Sequence, residues 1–517
     1  MSSSVWRPPI LALVIACVAW GLYAPALTAD FVWDARAKVL GGDFIHRPGN
    51  LVDVLTGRVL TRDVLDNNRP GNLLSLMVDA AVWGKRPAGY HATSITLHAA
   101  ICALLFLLLV RLLPEGGKGG IWAAFVGALA FAAHPLNCEA VSEVSYREDL
   151  LVTVSILVAL FAAMRFMRKP GFWRNFLIGV VCCAALLFGV SAKENGAAGA
   201  VIVAGYWWLW RRGEKRGAWM GLVGAGVAVV GGFLAARFAL APAHSIIFTT
   251  KAARLGGTFG NTLMIQTRIW AMQFSQVILP HGLCADYGPY SIRNYSFGIS
   301  AAVVAAVICG QIFLAFRDRV FALGTIIFWA GLLPVANLVP LYRPVADRFL
   351  YLPLIGLAMM LARGVYAAGR LRLEGRMTVY CGVIAWICTM GVMTFQREPV
   401  WHNSVALWQD TAAVNPYSTT AADNLGWALL DAGRDEEAAG AFQRAINLTH
   451  AKDPDPWAGL ALASDATGET AAADAAYEKA VGLDGRYGHP EELVAALVME
   501  RDDAGMLEVL ARRNTKP

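Results

Sequence analysis

The sequence predicts an all-α protein in which a polytopic membrane bundle of about eleven transmembrane helices precedes a soluble C-terminal α-solenoid. Of its 517 residues, 57% are hydrophobic and only 16% are charged, whereas about 25% of a typical soluble domain is charged. With its 50 glycines included and its 14 tyrosines excluded, roughly 64% of the chain is apolar, compared with about 45–50% in soluble proteins. A water-soluble chain of this composition would expose too much apolar surface, which indicates an integral membrane protein.

The predicted spans follow from runs of about 20 apolar residues, the length needed to cross a bilayer. We predict them near 8–28, 93–113, 119–136, 149–167, 174–190, 196–211, 217–240, 296–316, 320–341, 349–366 and 377–396. Segment 262–282 contains Gln266, Arg268, Gln273 and Gln276. Because counting it as a span would break the alternation of loop charges, we predict a helix lying at the outer membrane interface.

The orientation follows from basic residues that these spans place on one face: Arg7, Arg111, Lys118, Arg165, Arg168, Lys169, Arg174, Arg211, Arg212, Lys215, Arg216, Arg317, Arg319, Arg363, Arg370, Arg372 and Arg376. By the positive-inside rule this face is cytoplasmic. The N-terminus is then cytoplasmic and the C-terminal segment lies outside, in a periplasm or an organelle lumen. Short loops and Ala/Gly richness favour a bacterial inner membrane.

Other bulk features restrict the possible functions. The first apolar run ends in "APALTA", like a signal peptide, but its length favours an uncleaved anchor. The net charge of +6 fits cytoplasmic loop charges better than a nucleic-acid-binding surface, so we expect no nucleic-acid partner. Most of the nine cysteines lie in apolar runs and no CxxC occurs, so neither a zinc site nor a disulfide framework is indicated.

The composition changes after residue 397. "NLGWALLDAGRDEEAAGAFQRAINL" and "WAGLALASDATGETAAADAAYEKAVGL" repeat small and aromatic positions about 34 residues apart. This spacing is typical of the tetratricopeptide repeat (TPR), and we predict a TPR domain over 397–517 on the outer side. Such arrays bind peptides or partner proteins, or act as spacers.

An acidic residue follows the first span directly, in "ADFVWDARAKVL" (29–40). Asp34 at the membrane boundary, partly desolvated, has the chemistry of a general base toward a hydroxyl or amide. The alternative is that Asp34 caps a short helix starting at Ala35, with Asp30 solvated.

The turn between predicted spans three and four concentrates ionisable groups in residues 132–151, namely His134, Glu139, Glu143, Arg147, Glu148 and Asp149. Their oxygen and nitrogen atoms suit a sugar, a phosphate or a divalent cation. The alternative is a salt-bridged turn in which Arg147 neutralises its neighbours and Asp149 caps the next span. His134 alone fits a structural histidine better than a ligand.

Two further outer segments contain cationic candidates. "SAKENG" (191–196) contains Lys193 and Glu194, for phosphate binding and orientation or as an ordinary charged turn. "LYRPVADRFLYLP" (341–353) places Arg343 and Arg348 against the positive-inside trend, and guanidinium groups there suit a lipid-linked phosphate. The alternatives are an Arg348–Asp347 turn or snorkelling to lipid headgroups. Arg69 and Arg268 raise the same question, and Asp347 and Tyr351 are supporting candidates.

In combination and order, several segments resemble the transmembrane and TPR O-mannosyltransferases, a family related to the protein O-mannosyltransferases on the GT-C glycosyltransferase fold. The matching segments are "FVWDARAKV", "NRPGNLLS", "GYHATSITLHA", "AFAAHPLNCEAVSEVSYREDLL", "AKENG", "LCADYG" and "LLPVANLVPLYRPVADRFLYLP". The resemblance implies a GT-C-like domain over 1–396, with 29–92 as its first outer loop. It also implies a polyprenyl-phosphate mannose donor and inverting transfer to a Ser or Thr hydroxyl on the non-cytoplasmic face. The family's acidic base corresponds to Asp34. Ala35 stands where the family usually has a second acid, which leaves the use of a divalent cation and the positioning of the acceptor open.

The residues and the resemblance together predict one mechanism. Asp34 would deprotonate the acceptor, while Arg343 and Arg348, with Lys193 or Arg147, would stabilise the leaving phosphate. Membrane lipid would surround the site, the donor's lipid tail would enter between spans, and the TPR array would present an acceptor protein. No other cofactor is predicted.

Three alternatives remain open: a glycosyltransferase acting on a lipid or surface glycan, a transporter, and a non-catalytic scaffold for the repeats. A transporter would place its charges near mid-bilayer between paired halves. Here the charges gather at one boundary, so we expect a single pocket at the outward-facing rim of the bundle.

Overall fold

The computed structural model describes residues 8–113, 118–240 and 254–488, and within these ranges it contains helices and no strands. Arg7, the side chain of Lys118 and residues 489–517 of the predicted repeat domain lie outside the described residues. The chain divides into two compact units. The first comprises Met1–Leu27, Phe44–Pro280 and Tyr295–Glu398, and the second comprises Thr28–Asp43, His281–Asn294 and Pro399–Pro517.

Fifteen α-helices are described in the first unit. They are α1 Pro8–Tyr23, α2 Leu51–Leu55, α3 Pro70–Trp83, α4 Pro87–Leu112, α5 Lys118–Ala132, α6 Cys138–Ser142, α7 Arg147–Arg165, α8 Phe172–Ala192, α9 Ala198–Trp210, α10 Arg216–Leu240, α11 Phe259–Ile278, α12 Phe297–Ala315, α13 Arg319–Leu332, α14 Tyr351–Ala368 and α15 Leu373–Arg397. Local sequence sets several starts. Pro70 and Pro87 occupy first-turn positions, where their missing N–H is no loss. Asp318 accepts a hydrogen bond from the Phe321 N–H as the N-cap of α13.

Seven helical segments of the described residues are long and apolar enough to cross a membrane, and an eighth results if one bent helix pair is a single span. The protein is therefore an integral, multi-pass membrane protein. The seven are Pro8–Thr28, Pro87–Leu112, Phe172–Ala192, Arg216–Leu240, Phe297–Ala315, Asp347–Ala368 and Leu373–Trp401, and the bent pair is Gly119–Ala132 with Pro135–Ser142.

The number of spans is thus lower than the eleven or so predicted. Predicted spans 196–211 and 320–341 form helices of only 13 and 14 residues. Predicted span 149–167 belongs to a 19-residue helix whose first turn carries Arg147, Glu148 and Asp149. Most of that helix is buried within the protein. A helix surrounded by other helices needs apolar side chains for packing, but it does not have to meet the length and charge limits that lipid imposes.

Helix α11 occupies the segment predicted to lie at the membrane interface, and it is not among the candidate spans. Its glutamines Gln266, Gln273 and Gln276 are buried, whereas Leu263 and Ile278 are exposed. The polar face is therefore turned toward the protein, the opposite of a helix that presents its polar side to water. Its depth relative to the membrane stays a prediction.

The second unit contains α16 Ser404–Val414, α17 Thr419–Asp431, α18 Asp435–Leu448, α19 Pro454–Ala466 and α20 Thr470–Leu483. The starts of α17 and α19, and those of α18 and α20, lie 35 residues apart. Phe442 is fully buried in their core, where Gly426 and Gly459 leave room for its ring. These are two successive helix pairs, and their assignment as TPRs stays a prediction.

Candidate functional site

Six charged side chains form a continuous ion network in the first unit. We call it the helix-end network and define it as Arg69, Glu148, Asp149, Lys193, Glu194 and Arg237. The Lys193 Nζ lies 2.9 Å from a Glu148 oxygen and 2.7 Å from an Asp149 oxygen. The Arg69 guanidinium lies 2.7 Å from Glu148 and 3.2 Å from Glu194. Arg237 lies 3.1 Å from Glu194. Three cations therefore balance three carboxylates.

The network joins four separate parts of the chain at helix ends. Arg69 directly precedes α3, and Arg237 lies in the last turn of α10. Glu148 and Asp149 occupy the first turn of α7, where the helix dipole favours carboxylates. Lys193 and Glu194 lie in the turn between α8 and α9. Arg165, Arg174 and Arg216 lie at the opposite ends of α7, α8 and α10, so the network marks one end of this helix group.

Exposure divides the network into a buried part and an accessible part. Lys193, Glu148 and Asp149 are buried. The side chains of Arg69 and Glu194 are 22% and 43% exposed. Burial alone would raise the pKa of Glu194, but Arg69, Arg237 and Lys193 hold that pKa well below its usual range. Arg69 is consequently the network cation that an anionic ligand reaches most easily, in competition with the Glu194 carboxylate.

The environment of Arg147 matches neither sequence interpretation, the phosphate ligand or the residue that neutralises its own turn. Its side chain is 0% exposed and lies 2.5 Å from Asp79 of α3. Its remaining donors bind Ser94, Ser75 and the Tyr90 carbonyl. The idea that Arg147 neutralises the acids of its own turn is therefore wrong, because its partners come from α3 and α4. Its buried and occupied donors favour a structural link over a phosphate ligand.

Arg348 pairs with Glu139, not with the neighbouring Asp347. Glu139 accepts hydrogen bonds from both the guanidinium and the backbone N–H of Arg348. The guanidinium also stacks 3.6 Å from the centroid of the Tyr146 ring. Asp347 instead lies 3.8 Å from Arg397. The predicted Arg348–Asp347 turn pairing is therefore wrong. Arg343 is half-buried, and its guanidinium lies 5.9 Å from the Tyr342 ring centroid.

Other predicted site residues have structural contacts. The His134 Nε2 hydrogen-bonds the Val277 carbonyl at 2.9 Å, and Glu143 caps the turn at Tyr146. The Tyr351 hydroxyl lies 2.7 Å from the His98 ring. The Arg268 Nε donates to the Tyr295 carbonyl at 2.6 Å. Asp149 does not cap α7 but accepts from Lys193 and Asn195. No group of three or more His, Cys, Asp or Glu side chains arranged for a metal ion occurs in the described ranges.

Asp34 lies in the second unit and is half-buried. Within the part of the chain that the structure describes, its carboxylate makes no hydrogen bond or ion pair. The helical turn Arg36–Gly41 has no side-chain cap, so the capping alternative is not supported. Trp33 adopts a left-handed backbone with φ 49° and packs edge-on against Trp408 at 4.9 Å. Such strain beside an unpaired acid is typical of functional positions. The convergence of Asp34 with Arg343 and Arg348 stays a prediction.

The sequence interpretation missed several partners of the predicted residues: Asp66, Asp79, Arg237, Arg397 and Glu398. The Ser142 hydroxyl donates to the Glu398 carboxylate, whose two oxygens lie 2.8 and 2.9 Å from it. Asp79 is the one charge of α3, and Arg237 is the one charge of α10 beyond its first residue, Arg216. That pattern is the available signal, because an isolated charge among apolar residues normally has a buried partner.

Comparisons with known proteins agree with the motif analysis. No family model matches the chain. Protein O-mannosyl-transferase F38B6.6 of Caenorhabditis elegans is 22% identical over 443 residues, covering 82% of this chain and 61% of the relative. Protein O-mannosyl-transferase Tmtc3 of Drosophila melanogaster is 25% identical over 453 residues, covering 74% and 48%. Human protein O-mannosyl-transferase TMTC4 is 24% identical over 493 residues, covering 84% and 66%. The chain thus spans about half to two thirds of the length of these relatives.

Among solved structures, ArnT from Cupriavidus metallidurans bound to undecaprenyl phosphate aligns with a TM-score of 0.43 and 13% identity, over 99% of this chain and 88% of that one. The relatives named above are animal proteins, so the bacterial membrane that the composition favours is not supported by them. The resemblance indicated by the sequence motifs is confirmed, and the chain is a homologue of the protein O-mannosyl-transferases.

Proposed function

We propose that the chain is a membrane glycosyltransferase that transfers mannose from a polyprenyl-phosphate donor to a Ser or Thr hydroxyl of a protein, on the non-cytoplasmic face. The homologues support the reaction class through their names as protein O-mannosyl-transferases. The main structural support is the helix-end network, in which buried ion pairs hold an accessible guanidinium at one end of the helix group.

Arg69 is the residue we assign to the donor phosphate. A guanidinium binds phosphate oxygens through paired hydrogen bonds, and the Arg69 side chain is already held by Glu148 at 2.7 Å. Its second contact, to Glu194, is with the most exposed carboxylate of the network. A phosphate would replace Glu194 at this position. Lys193 keeps Glu148 and Asp149 neutralised, and is therefore a positioning residue.

Asp34 is the general base of the proposed reaction. It takes the proton of the acceptor hydroxyl while the acceptor oxygen attacks the anomeric carbon from the face opposite the phosphate. The new glycosidic C–O bond forms as the bond between the anomeric carbon and the phosphate oxygen breaks. The electron pair leaves with the polyprenyl phosphate, whose charge the cationic residues stabilise. Arg343 and Arg348 remain assigned to the same anion, and the helix pairs of the second unit to the acceptor protein.

The test uses membranes containing the full chain, radiolabelled polyprenyl-phosphate mannose and a Ser/Thr-bearing acceptor peptide. We expect Asp34→Asn to lower transfer by about 10²–10⁴-fold, the usual contribution of a general base. Asp30→Asn is the matched control, because Asp30 belongs to the same segment and is exposed. Transfer that is unchanged in Asp34→Asn would remove this residue from the base role. If wild type uses no polyprenyl-phosphate sugar, the enzymatic proposal fails and the scaffold alternative is favoured.

A second variant tests the phosphate assignment. Arg69→Gln is expected to raise the KM for the donor more than it lowers kcat, because the lost contact is made to the bound donor. Arg62→Gln is the control, since Arg62 is an exposed arginine whose partner, Asp53, lies outside the network. An unchanged donor KM in Arg69→Gln would refute the assignment.

A further inference from the structure

A groove of about 460 Å³, lined by both polar and apolar atoms, lies entirely within the second unit. It forms where segment 281–294 meets the start of α17. We call it the tyrosine groove and define it by six lining residues, Asp286, Tyr290, Asn415, Tyr417, Ser418 and Thr419. None of these residues takes part in the proposed transfer reaction. A volume of this size is within the range of small-molecule sites, about 300–1,000 Å³.

Hydrogen bonds hold the floor of the groove in a preformed arrangement. The Ser418 hydroxyl donates to the Asp286 carboxylate at 2.6 Å. The Asn415 Nδ2 donates to the Asp286 carbonyl at 3.0 Å. Ser418 also caps α17 by accepting from the Ala421 N–H at 2.8 Å. Since segment 281–294 and the start of α17 are tied together at several atoms, the groove does not need a ligand to form.

One atom of this floor is left unsatisfied. Asn415 is only 2% exposed. Its Oδ1 has no hydrogen-bond partner among the described residues. A buried acceptor without a donor costs about 1–3 kcal/mol, and several other buried side-chain atoms of the described residues, such as Asn137 Oδ1, share this state. This atom is itself inaccessible to solvent, so a ligand O–H or N–H would reach it only if the Asn415 amide turned toward the groove.

Aromatic rings form the wall of the groove. The rings of Tyr290 and Tyr417 lie 5.1 Å apart at an angle of 49°. Tyr417 is 66% exposed, so one of its faces is available to a ligand. The Arg293 guanidinium stacks 3.4 Å from the centroid of Tyr290 and helps to hold that ring in place. An accessible ring beside hydroxyl, amide and carboxylate groups offers both an apolar face and dense hydrogen bonding.

We propose that the tyrosine groove binds a pyranose sugar, with the apolar face of the ring against Tyr417 and sugar hydroxyls bonded to Asp286, Asn415 and Thr419. A peptide fits less well, because the groove has no Leu, Ile, Val, Met or Phe lining to receive an apolar side chain. This binding goes beyond the proposed function and does not depend on it, since it requires neither Asp34 nor a lipid-linked donor.

The test measures binding of methyl α-mannopyranoside and of α-linked mannobiose to the full chain in lipid nanodiscs free of sugar-based detergent. Ligand-observed NMR and calorimetry provide the readouts. We expect saturable binding with a Kd of roughly 1 mM, typical of a small polar ligand with few contacts. Tyr417→Ala should weaken binding at least about fivefold through the lost ring contact, and Tyr417→Phe should retain most of it.

Two controls make the outcome decisive. Tyr342→Ala, which removes another exposed tyrosine from the first unit, should bind like wild type. Asp34→Asn should also bind like wild type, so that a failed transfer assay and a failed binding assay remain distinguishable. Absence of sugar binding by wild type, equal binding by Tyr417→Ala, or binding of a Ser/Thr-rich peptide instead of sugars would each overturn the proposal.

Discussion

Replacing Lys193 with methionine should destabilise the first unit strongly. Lys193 is 5% exposed and neutralises two carboxylates, Glu148 at 2.9 Å and Asp149 at 2.7 Å. Methionine has a similar length and no charge. The variant therefore removes the ion pairs while largely preserving the packing.

The expected loss of stability follows from the partners that each carboxylate keeps once Lys193 is replaced. Glu148 retains Arg69 at 2.7 Å, whereas Asp149 retains only the Asn195 amide at 3.3 Å. One buried carboxylate is therefore left without a directly paired cation, and breaking a buried pair in this way costs about 3–5 kcal/mol. For a chain of this size we expect the melting temperature to fall by about 3–6 °C.

The assay is thermal unfolding of the purified protein in mild detergent, followed by size-exclusion chromatography with fluorescence detection. Lys169→Met is the control, because Lys169 is an exposed lysine of the same unit. The double variant Lys193→Met with Asp149→Asn should recover about half of the loss or more, since the amide carries no charge to compensate. A melting temperature of Lys193→Met within about 1 °C of wild type, or a double variant no better than the single one, would refute the reasoning.

Two further predictions concern pH and packing. Because the pKa of Glu194 is lower in the folded chain than the value of about 4.3 expected when unfolded, its ionised form stabilises the protein above that pH, and the contribution is lost as pH falls through the lowered value. The difference in melting temperature between wild type and Glu194→Gln should therefore be larger at pH 7 than at pH 3. It corresponds to less than about 1 kcal/mol, because the Glu194 side chain is 43% exposed. Equal differences at both pH values would contradict this prediction. In the second unit, a methyl group at Gly459 would come within 2.2 Å of the buried Phe442 ring. Gly459→Ala should therefore lower the stability of the helix pairs by about 1–3 kcal/mol, which limited proteolysis would detect as faster cleavage. Gly440→Ala, which has open space around it, should stabilise them by up to about 1 kcal/mol; equal behaviour of the two variants would show that Phe442 is free to move.

Local sequence was sufficient to predict the helical elements that depend on short windows. The apolar runs of α1, α4 and α8 correspond to membrane-length helices. The repeated small residues after 397 correspond to two helix pairs. The same short windows wrongly predicted membrane spans at α9 and α13. Apolar composition does not distinguish a short helix packed inside a bundle from one that crosses lipid.

The candidate site shows the same division. Sequence alone identified Glu148, Asp149, Lys193 and Glu194 as charges at the boundary of apolar runs, and the structure brings them into one network. It could not identify Arg237 as a member, because that arginine enters the network only through the packing of α10 near the turn between α8 and α9.

What the sequence by itself determined is where the chain is helical, which helices are apolar enough to meet lipid, and which charges occur at the helix ends. Only the tertiary structure decided how those charges pair. Arg147 and Asp79 are 68 positions apart in the sequence, yet they lie 2.5 Å apart in the structure. Arg348 bypasses the adjacent Asp347 to bind Glu139, 209 positions away. Helix formation depends on residues within a few turns, whereas the partner of a buried charge depends on which helices pack together, so local pattern cannot specify it.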